Sequence, residues 1–389
     1  MARTLHDYLI SPEADAALEC WACAVINGSP QPFPPVPSVS SDLLLRFTEF
    51  HGITGLMYAR TIAVPSSGPP DMGVADAVSR AARHQAAREM RLQQELGQVL
   101  AAADARGLTP LILKGTALAY SLYPEPALRG RNDTDLLVAT SDKAGMMALL
   151  EGLGYVGDLI AGEHWATSER SFKRRLSEAM TSCIDVHWRI NNSPVFWHAD
   201  LGHSSLIANA QPLAALHPKA VCPDRPALLL HACIHRASHV RAPMLMDGAA
   251  YVPINRLIWL YDIHLLSGAM NADDWSAFLV MAVQLRMRGI CRSAIAAAAT
   301  RFGTTIPESV LVGLEQQTRE ATTEHLDAPS WQMKLTEFRA LPSNHARLGW
   351  LREHLLPSRA YMRSRYALNS RAPLVLLYIK RLMRSRRSL

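Results

Sequence analysis

A chain of 389 residues, 49% hydrophobic and 19% charged, carries enough apolar material for a sizeable core and for two or three domains of roughly 100–200 residues, and is excluded from the disordered class. Its net charge of +6 favours anionic partners (phosphates, nucleic acid or a membrane surface) without choosing among them. Six cysteines form no dense framework, the N-terminus "MARTLHDYLISPEAD" lacks a signal-peptide core, and no apolar run reaches the ~18–20 residues that span a bilayer, so a cytoplasmic protein with reduced thiols, at most peripheral to a membrane, is expected.

In chain order, residues 1–63 read as mostly helical, interrupted by the proline-rich "GSPQPFPPVPSVSSD", where missing N–H groups and restricted backbone enforce a loop. Within "EADAALECWACAVI", Cys20 and Cys23 make a C-x-x-C on a helix; no second pair at zinc-site spacing follows, so packing is the favoured reading over metal or redox chemistry. "SSDLLLRFTEFHGITGLMYARTI" has helical spacing behind a Ser or Asp cap, and a long helix is expected from Val74 to Arg106, ended by Gly107. The character then changes: "LTPLILKG" is a short buried strand, "TALAYSLY" a helical turn or two, "TDLLVA" a strand, "SDKAGMMALLEGLG" a helix, "YVGDL" the opening of a third strand, and "SFKRRLSEAMTSCIDVHWRI" a hairpin. Helices resume with "PALLLHACIHRASHV" and continue through "PESVLVGLEQQTREATTEHL". The expected fold class is α+β: a small mixed-sheet core at 96–200 between a helical region at 1–95 and a helical domain at 201–356, followed by a basic tail at 357–389.

The chemistry concentrates in "LKGTALAYSLYPEPALRGRNDTDLLV", residues 113–138. Side chains alternate along a strand, so Asp133 and Asp135 share a face. Two carboxylates so placed repel each other, and a hard divalent cation relieves the conflict. Asp185, flanked by Ile184 and Val186 in a later strand and sharing a face with His187, offers a third acid. Three acids on adjacent strands suit in-line displacement at phosphorus with divalent ions. Lys114-Gly115-Thr116 between a strand and a helix presents N–H groups, a hydroxyl and an ammonium to an anion, while Arg129 and Arg131 lie where they could bridge phosphate oxygens. Against this stands the plainer reading: D-x-D is common at turns, and Lys-Gly-Thr lacks the full P-loop pattern.

The ordered set of motifs carries a resemblance. Residues 113–189 resemble the polymerase-beta-like nucleotidyltransferase superfamily. More narrowly, "LKGTALAYSLYP", "LRGRNDTDLLV", "LLEGLGYV" and "IDVHW", with "LLLHACIH" and "RLIWLYDIHLL" beyond them, are similar to a poorly characterised bacterial nucleotidyltransferase family. The resemblance implies phosphate contact at Gly115 and Thr116, metal ligation by Asp133, Asp135 and Asp185, Mg²⁺ (or Mn²⁺) as cofactor, and a nucleoside triphosphate as donor. Two departures stand out: a long insert between Gly115 and Asp133, and Thr134 where the family carries an aliphatic residue. It also favours a small-molecule or peptide acceptor of the kind found in natural-product biosynthesis over nucleic acid. Alternatives are phosphoryl or glycosyl-phosphate transfer on the same fold, and non-catalytic nucleotide binding.

His187 is read as a general base, a substrate contact or a packing residue; His231, His235 and His239, at i, i+4 and i+8, as metal, substrate or packing residues; Asp262 and His264 as structural. The tail beyond Arg359 has no Asp or Glu and carries Arg363, Arg365, Arg371, Lys380, Arg381, Arg384, Arg386 and Arg387 around Leu374–Ile379. Leu374, Leu377, Tyr378 and Leu382 recur at helical spacing. A docked helix with a solvated basic end is the favoured reading, ahead of contact with an anionic acceptor or an anionic membrane surface.

Overall fold

The computed structural model describes residues 12–29, 40–63, 72–162, 164–240, 244–246, 249–251, 255–315, 320–366 and 373–385. Four helices come first: α1 (Pro12–Ile26), α2 (Ser41–His51), α3 (Thr54–Ala63) and α4 (Met72–Asp104). The apolar run expected to be helical from residue 40 onward is split at Gly52, whose φ of 70° suits glycine and turns the chain between α2 and α3. The Ser40 hydroxyl caps α2 by accepting from the Leu43 N–H. On α1, Cys20 is exposed and Cys23 buried; burial pushes the Cys23 thiol up to about 12, which suits packing rather than ligation.

The sheet follows. Its strands are β1 (Leu111–Ile112), β2 (Thr134–Leu137), β3 (Val156–Gly157), β4 (Glu169–Arg175), β5 (Thr181–His187), β6 (Gln211–Pro212) and β7 (Val221–Cys222), in the order β3-β4-β5-β2-β1-β7-β6. β4 and β5 form the expected hairpin, β2 and β5 run parallel, and β1 is antiparallel to β2. Helices α5 (Lys114–Ser121), α6 (Lys143–Gly152) and α7 (His203–Leu206) lie between the strands in sequence. Then come α8 (Arg225–His239), the small hairpin β8 (Met244–Met246) and β9 (Ala249–Tyr251), α9 (Leu257–Ala269), α10 (Ala272–Gln284), α11 (Arg288–Phe302), α12 (Glu308–Gly313), α13 (Ala321–Asp327), α14 (Ser330–Ala340), α15 (Asn344–Leu355), α16 (Arg359–Tyr366) and α17 (Leu374–Ser385). The α+β class is as the pattern of elements implied.

One buried apolar cluster runs from Leu18 on α1 through the sheet to Leu326 on α13, and a smaller one is built from Leu341, Ala346 and Trp350. In the tail, α17 docks through buried Leu377, and the Tyr378 hydroxyl donates to the Pro357 carbonyl at 2.7 Å. Arg381 donates to the His354 carbonyl at 3.1 Å. Val375, Leu376 and Ile379 face outward. Of the residues expected there, Arg371, Arg386 and Arg387 and the side chains of Leu382 and Arg384 lie outside the described residues. No described helix is long and apolar enough to cross a membrane.

His51 ties the N-terminal helices to the C-terminal ones. It is fully buried, packed against the rings of Phe47 and Phe50, and its Nδ1 accepts from the Leu257 N–H at 3.1 Å. Accepting there requires the neutral ring, and burial, then Arg256, lowers its pKa to about 3. The unfolded chain therefore binds a proton at His51 below about pH 6.5 that the folded chain refuses. Stability contributed by the neutral ring is present above pH 6.5 and falls as pH drops towards 3, by about 1.4 kcal/mol per pH unit for one such group. Denaturant titrations between pH 4 and 7 are expected to show this slope. His51→Asn, which keeps an acceptor near Nδ1, is expected to reduce it by one proton's worth.

Candidate active site

The floor of the site is set by strand register. β1 pairs Ile112 with Leu136, and the Leu113 N–H donates to the Asp135 carbonyl at 3.0 Å. The chain then turns straight into α5 at Lys114, which has a φ of 48°. That is an unfavourable region for a residue with a Cβ, of a kind found at functional sites. The turn brings the Lys114 ammonium to 2.6 Å from Asp135 Oδ1. On the other side, parallel pairing sets Asp135 beside Asp185 and Leu137 beside His187. His187 Nε2 lies 2.8 Å from the same Asp135 oxygen, and its Nδ1 lies 3.1 Å from Glu169 on β4.

His187 thus links two carboxylates: both ring nitrogens face acids, and its side chain is almost wholly buried. Among the described residues, Asp135, Asp185 and His187 have ligand atoms that all lie within 4.8 Å of one another. Asp133 sits just outside that group and lines the same cleft. Glu169 adds a fourth carboxylate. Sequence reasoning missed it, although it sits on a strand paired with "CIDVH" and aligned with His187.

Lys114 alone does not neutralise these acids. Burial disfavours the charged Lys114, but Asp135 outweighs it and keeps the ammonium charged. Burial likewise opposes ionisation of Asp135, and Lys114 and His187 override it, holding that carboxyl far below the ordinary range. At Asp133 the relief is too weak: burial, then Asp135 and Asp185, outweigh Lys114 and Arg129 and push it up to about 6. Asp185 is also raised, chiefly by burial. Carboxylates short of positive charge, clustered in a cleft, are the donor set that a divalent cation fits.

The arginines stand differently. Arg129 is partly buried and paired with Asp262 on α9, Nη2 to Oδ2 at 2.7 Å, and Tyr123 donates to the same carboxylate at 2.7 Å. Arg131 is clamped by Glu89 on α4 at 2.8 and 2.9 Å. Both guanidiniums border the cleft, and each is paired to a carboxylate that the sequence did not point to. Gly115 has a matching reason to be glycine: a Cβ there would lie 2.5 Å from Arg129 Nη1. Thr116 is buried, its hydroxyl without a hydrogen-bond partner among the described residues, and it does not line the cleft, because the third residue of α5 turns towards the core. What remains at the N-terminus of α5 is a set of backbone N–H groups without intrahelical acceptors and without a side-chain cap.

The opposite wall is α8 and α9. His231, His235 and His239 all line the cleft, with His235 and His239 packed against Trp259 at 5.2 and 5.7 Å. Burial lowers the pKa of all three, His231 to about 3, so neutral rings face the acids. Arg256 also lines the wall, donating to the Phe50 carbonyl at 2.6 Å; burial, then Arg129, lowers it to about 10. Nothing local in "NRLIW" marked Arg256 or Trp259 as cleft residues. As expected, Asp262 serves structure, and His264 bonds Thr304 at 3.0 Å. The cleft encloses about 470 Å³, within the range of small-molecule sites.

A protein-family model described as "Uncharacterised nucleotidyltransferase" matches residues 37–303, more than half of the chain and all of this site. The chain belongs to this nucleotidyltransferase family. It is therefore a transferase of phosphorus-containing groups. A search of curated proteins finds no match. In this nucleotidyltransferase the two departures from the superfamily pattern have structural uses. The long insert between Gly115 and Asp133 makes a 3-10 turn at Pro126–Leu128 and supplies Arg129 and Arg131. Thr134, replacing an aliphatic residue, is buried and accepts from Arg131.

The Arg129–Asp262 pair generates a test. Arg129→Ala strands a buried carboxylate and is expected to cost about 3–5 kcal/mol of stability, read from chemical denaturation. A loss of nucleotide affinity with unchanged stability would show instead that Arg129 spends its charge on phosphate.

Proposed function

We propose that the protein transfers a nucleoside monophosphate from a nucleoside triphosphate to an acceptor hydroxyl, with Mg²⁺ as cofactor and pyrophosphate as product. The observation that carries this reading is the register of β2 and β5, which sets Asp135 beside Asp185 at the foot of the same cleft as Lys114 and the N-terminus of α5. Asp133, Asp135 and Asp185 would hold the divalent ion, which supplies charge neutralisation of the triphosphate.

The chain's own groups do the rest. The backbone N–H groups of α5, the Lys114 ammonium and Arg256 bind phosphate oxygens from opposite sides. Trp259, with the ring of His239 tilted against it, offers an aromatic surface for the base. An acceptor oxygen bonds to the α-phosphorus as the bond to the β-phosphate bridging oxygen breaks. Pyrophosphate departs, and the hydroxyl proton passes to a carboxylate oxygen of Asp185. His187, linking Asp135 to Glu169, fixes the positions of these acids.

Incubation with each NTP and Mg²⁺ should release pyrophosphate and add a nucleotide mass to the acceptor; release of orthophosphate would instead favour phosphoryl transfer. Asp135→Asn and Asp185→Asn are expected to abolish turnover with the circular dichroism spectrum retained. Full activity in either variant would sink the assignment. Lys114→Ala is expected to weaken NTP binding by about 1.5–3 kcal/mol, as measured by calorimetry.

A further inference from the structure

A second cavity, of about 200 Å³, opens beside the cleft. The two share Asn191, Asn192 and Ser238 as a common sill. The sill is built: Asn191 donates to the Ser238 hydroxyl at 3.1 Å, and its Oδ1 accepts from the Ser193 N–H at 2.8 Å. Asn192 accepts from the Ser168 N–H at 2.7 Å and donates to Glu169 on the acidic floor at 3.2 Å. Whatever fills the second cavity therefore sits one side chain away from the carboxylates.

The far wall comes from α13, α14 and α15, beyond the stretch that the family model matches. It holds His325 and Glu337, both less than a tenth exposed. His325 Nε2 lies 3.1 Å from the Ser193 hydroxyl and 3.9 Å from Glu337, while its Nδ1 is buried with no hydrogen-bond partner among the described residues. Buried polar atoms in native proteins are nearly always satisfied, so this one calls for a partner. Glu337 is balanced by Lys334 at 2.7 Å, so the wall carries no net charge. Phe196, Met333 and Trp350 supply apolar surface.

We infer that this cavity is the acceptor site, and that the acceptor is a neutral, polyhydroxylated ring of about the size of one sugar. The inference rests on the nucleotidyl-transfer reading and names its acceptor class. A carboxylate accepts only, two amides accept and donate, and a histidine ring does one at each nitrogen. Hydroxyl groups, which do both, match this mixed set without introducing a charge. The absence of a net charge selects against phosphorylated and strongly cationic acceptors, whose desolvation the wall would not offset. The aromatic and thioether surface suits the C–H face of such a ring. One hydroxyl directed over the Asn191–Asn192 sill would reach the acidic floor. There it attacks the α-phosphorus, the bond to the departing pyrophosphate breaks, and its proton goes to Asp185.

The test uses the full chain. Saturation-transfer NMR with glucose, galactose, N-acetylglucosamine and, as a different class, L-serine and L-tyrosine reads binding directly. Pyrophosphate release with NTP and Mg²⁺ reads acceptor use, and calorimetry reads NTP affinity. At least one sugar is expected to bind and to stimulate pyrophosphate release. Glu337→Gln and His325→Ala are expected to weaken that sugar by about tenfold or more, the loss of one hydrogen bond to a charged or buried partner, while leaving NTP affinity unchanged. Intact NTP binding with no response to any sugar, or a response to the amino acids alone, overturns the inference. So does sugar binding that survives both substitutions. Sugar binding without NTP binding would instead sink the nucleotidyl-transfer reading and leave the pocket standing.

Discussion

A carboxylate almost wholly out of water is the constraint on which this structure turns. Asp135 is 4% exposed, and a buried charge persists only if it is paired and hydrogen-bonded. Lys114 and His187 converge on the same oxygen of Asp135, and each is delivered by a different neighbour of β2. Lys114 arrives because β1 stops one residue short of it and the chain turns with positive φ. His187 arrives because β5 runs parallel to β2 in a register that aligns it with Leu137. Shifting either strand by one residue would move a charge to the wrong face and leave Asp135 unpaired.

The helices around the sheet hold that arrangement rigid. The loop between α5 and β2 carries Arg129 and Arg131, and the two guanidiniums are pulled in opposite directions, one to Asp262 on α9 and the other to Glu89 on α4. Gln85 and Arg88 add donations from α4 to the Ala127 and Arg131 carbonyls, both at 2.6 Å. Such pairs contribute modestly to net stability against an apolar alternative, but breaking one strands a buried charge. Their effect here is geometric. They pin the approach to Asp133 between an N-terminal and a C-terminal helix, and His51 and Arg256 join those helices from a second direction.

Much of this was legible locally. Alternation in "TDLLV" and "CIDVHW" assigns both acidic strands and the face each acid occupies, because a strand's side-chain period of two is a property of its own backbone. Gly107 as a helix stop and Ser40 as a cap follow from φ preference and hydroxyl chemistry in the same way. The motif order, Lys-Gly-Thr before D-x-D before the later Asp, already identified the family. For Arg129 and Arg131, proximity in sequence to two acids suggested phosphate and gave no sign of the carboxylates they pair with. Their true partners, Glu89 and Asp262, are 42 and 133 residues away.

The sequence by itself thus determined the α+β class, the acids and their faces, and the family. These depend on backbone periodicity and short-range chemistry, which act over a few residues. The tertiary structure alone decided which strands are neighbours, that His187 lies between Asp135 and Glu169, and that Thr116 faces the core. It also decided that Glu169, Arg256 and Trp259 meet the acids across one cleft. Those outcomes depend on packing between segments far apart in the chain, where the burial of one charge is settled by whichever distant group the fold brings within hydrogen-bonding distance.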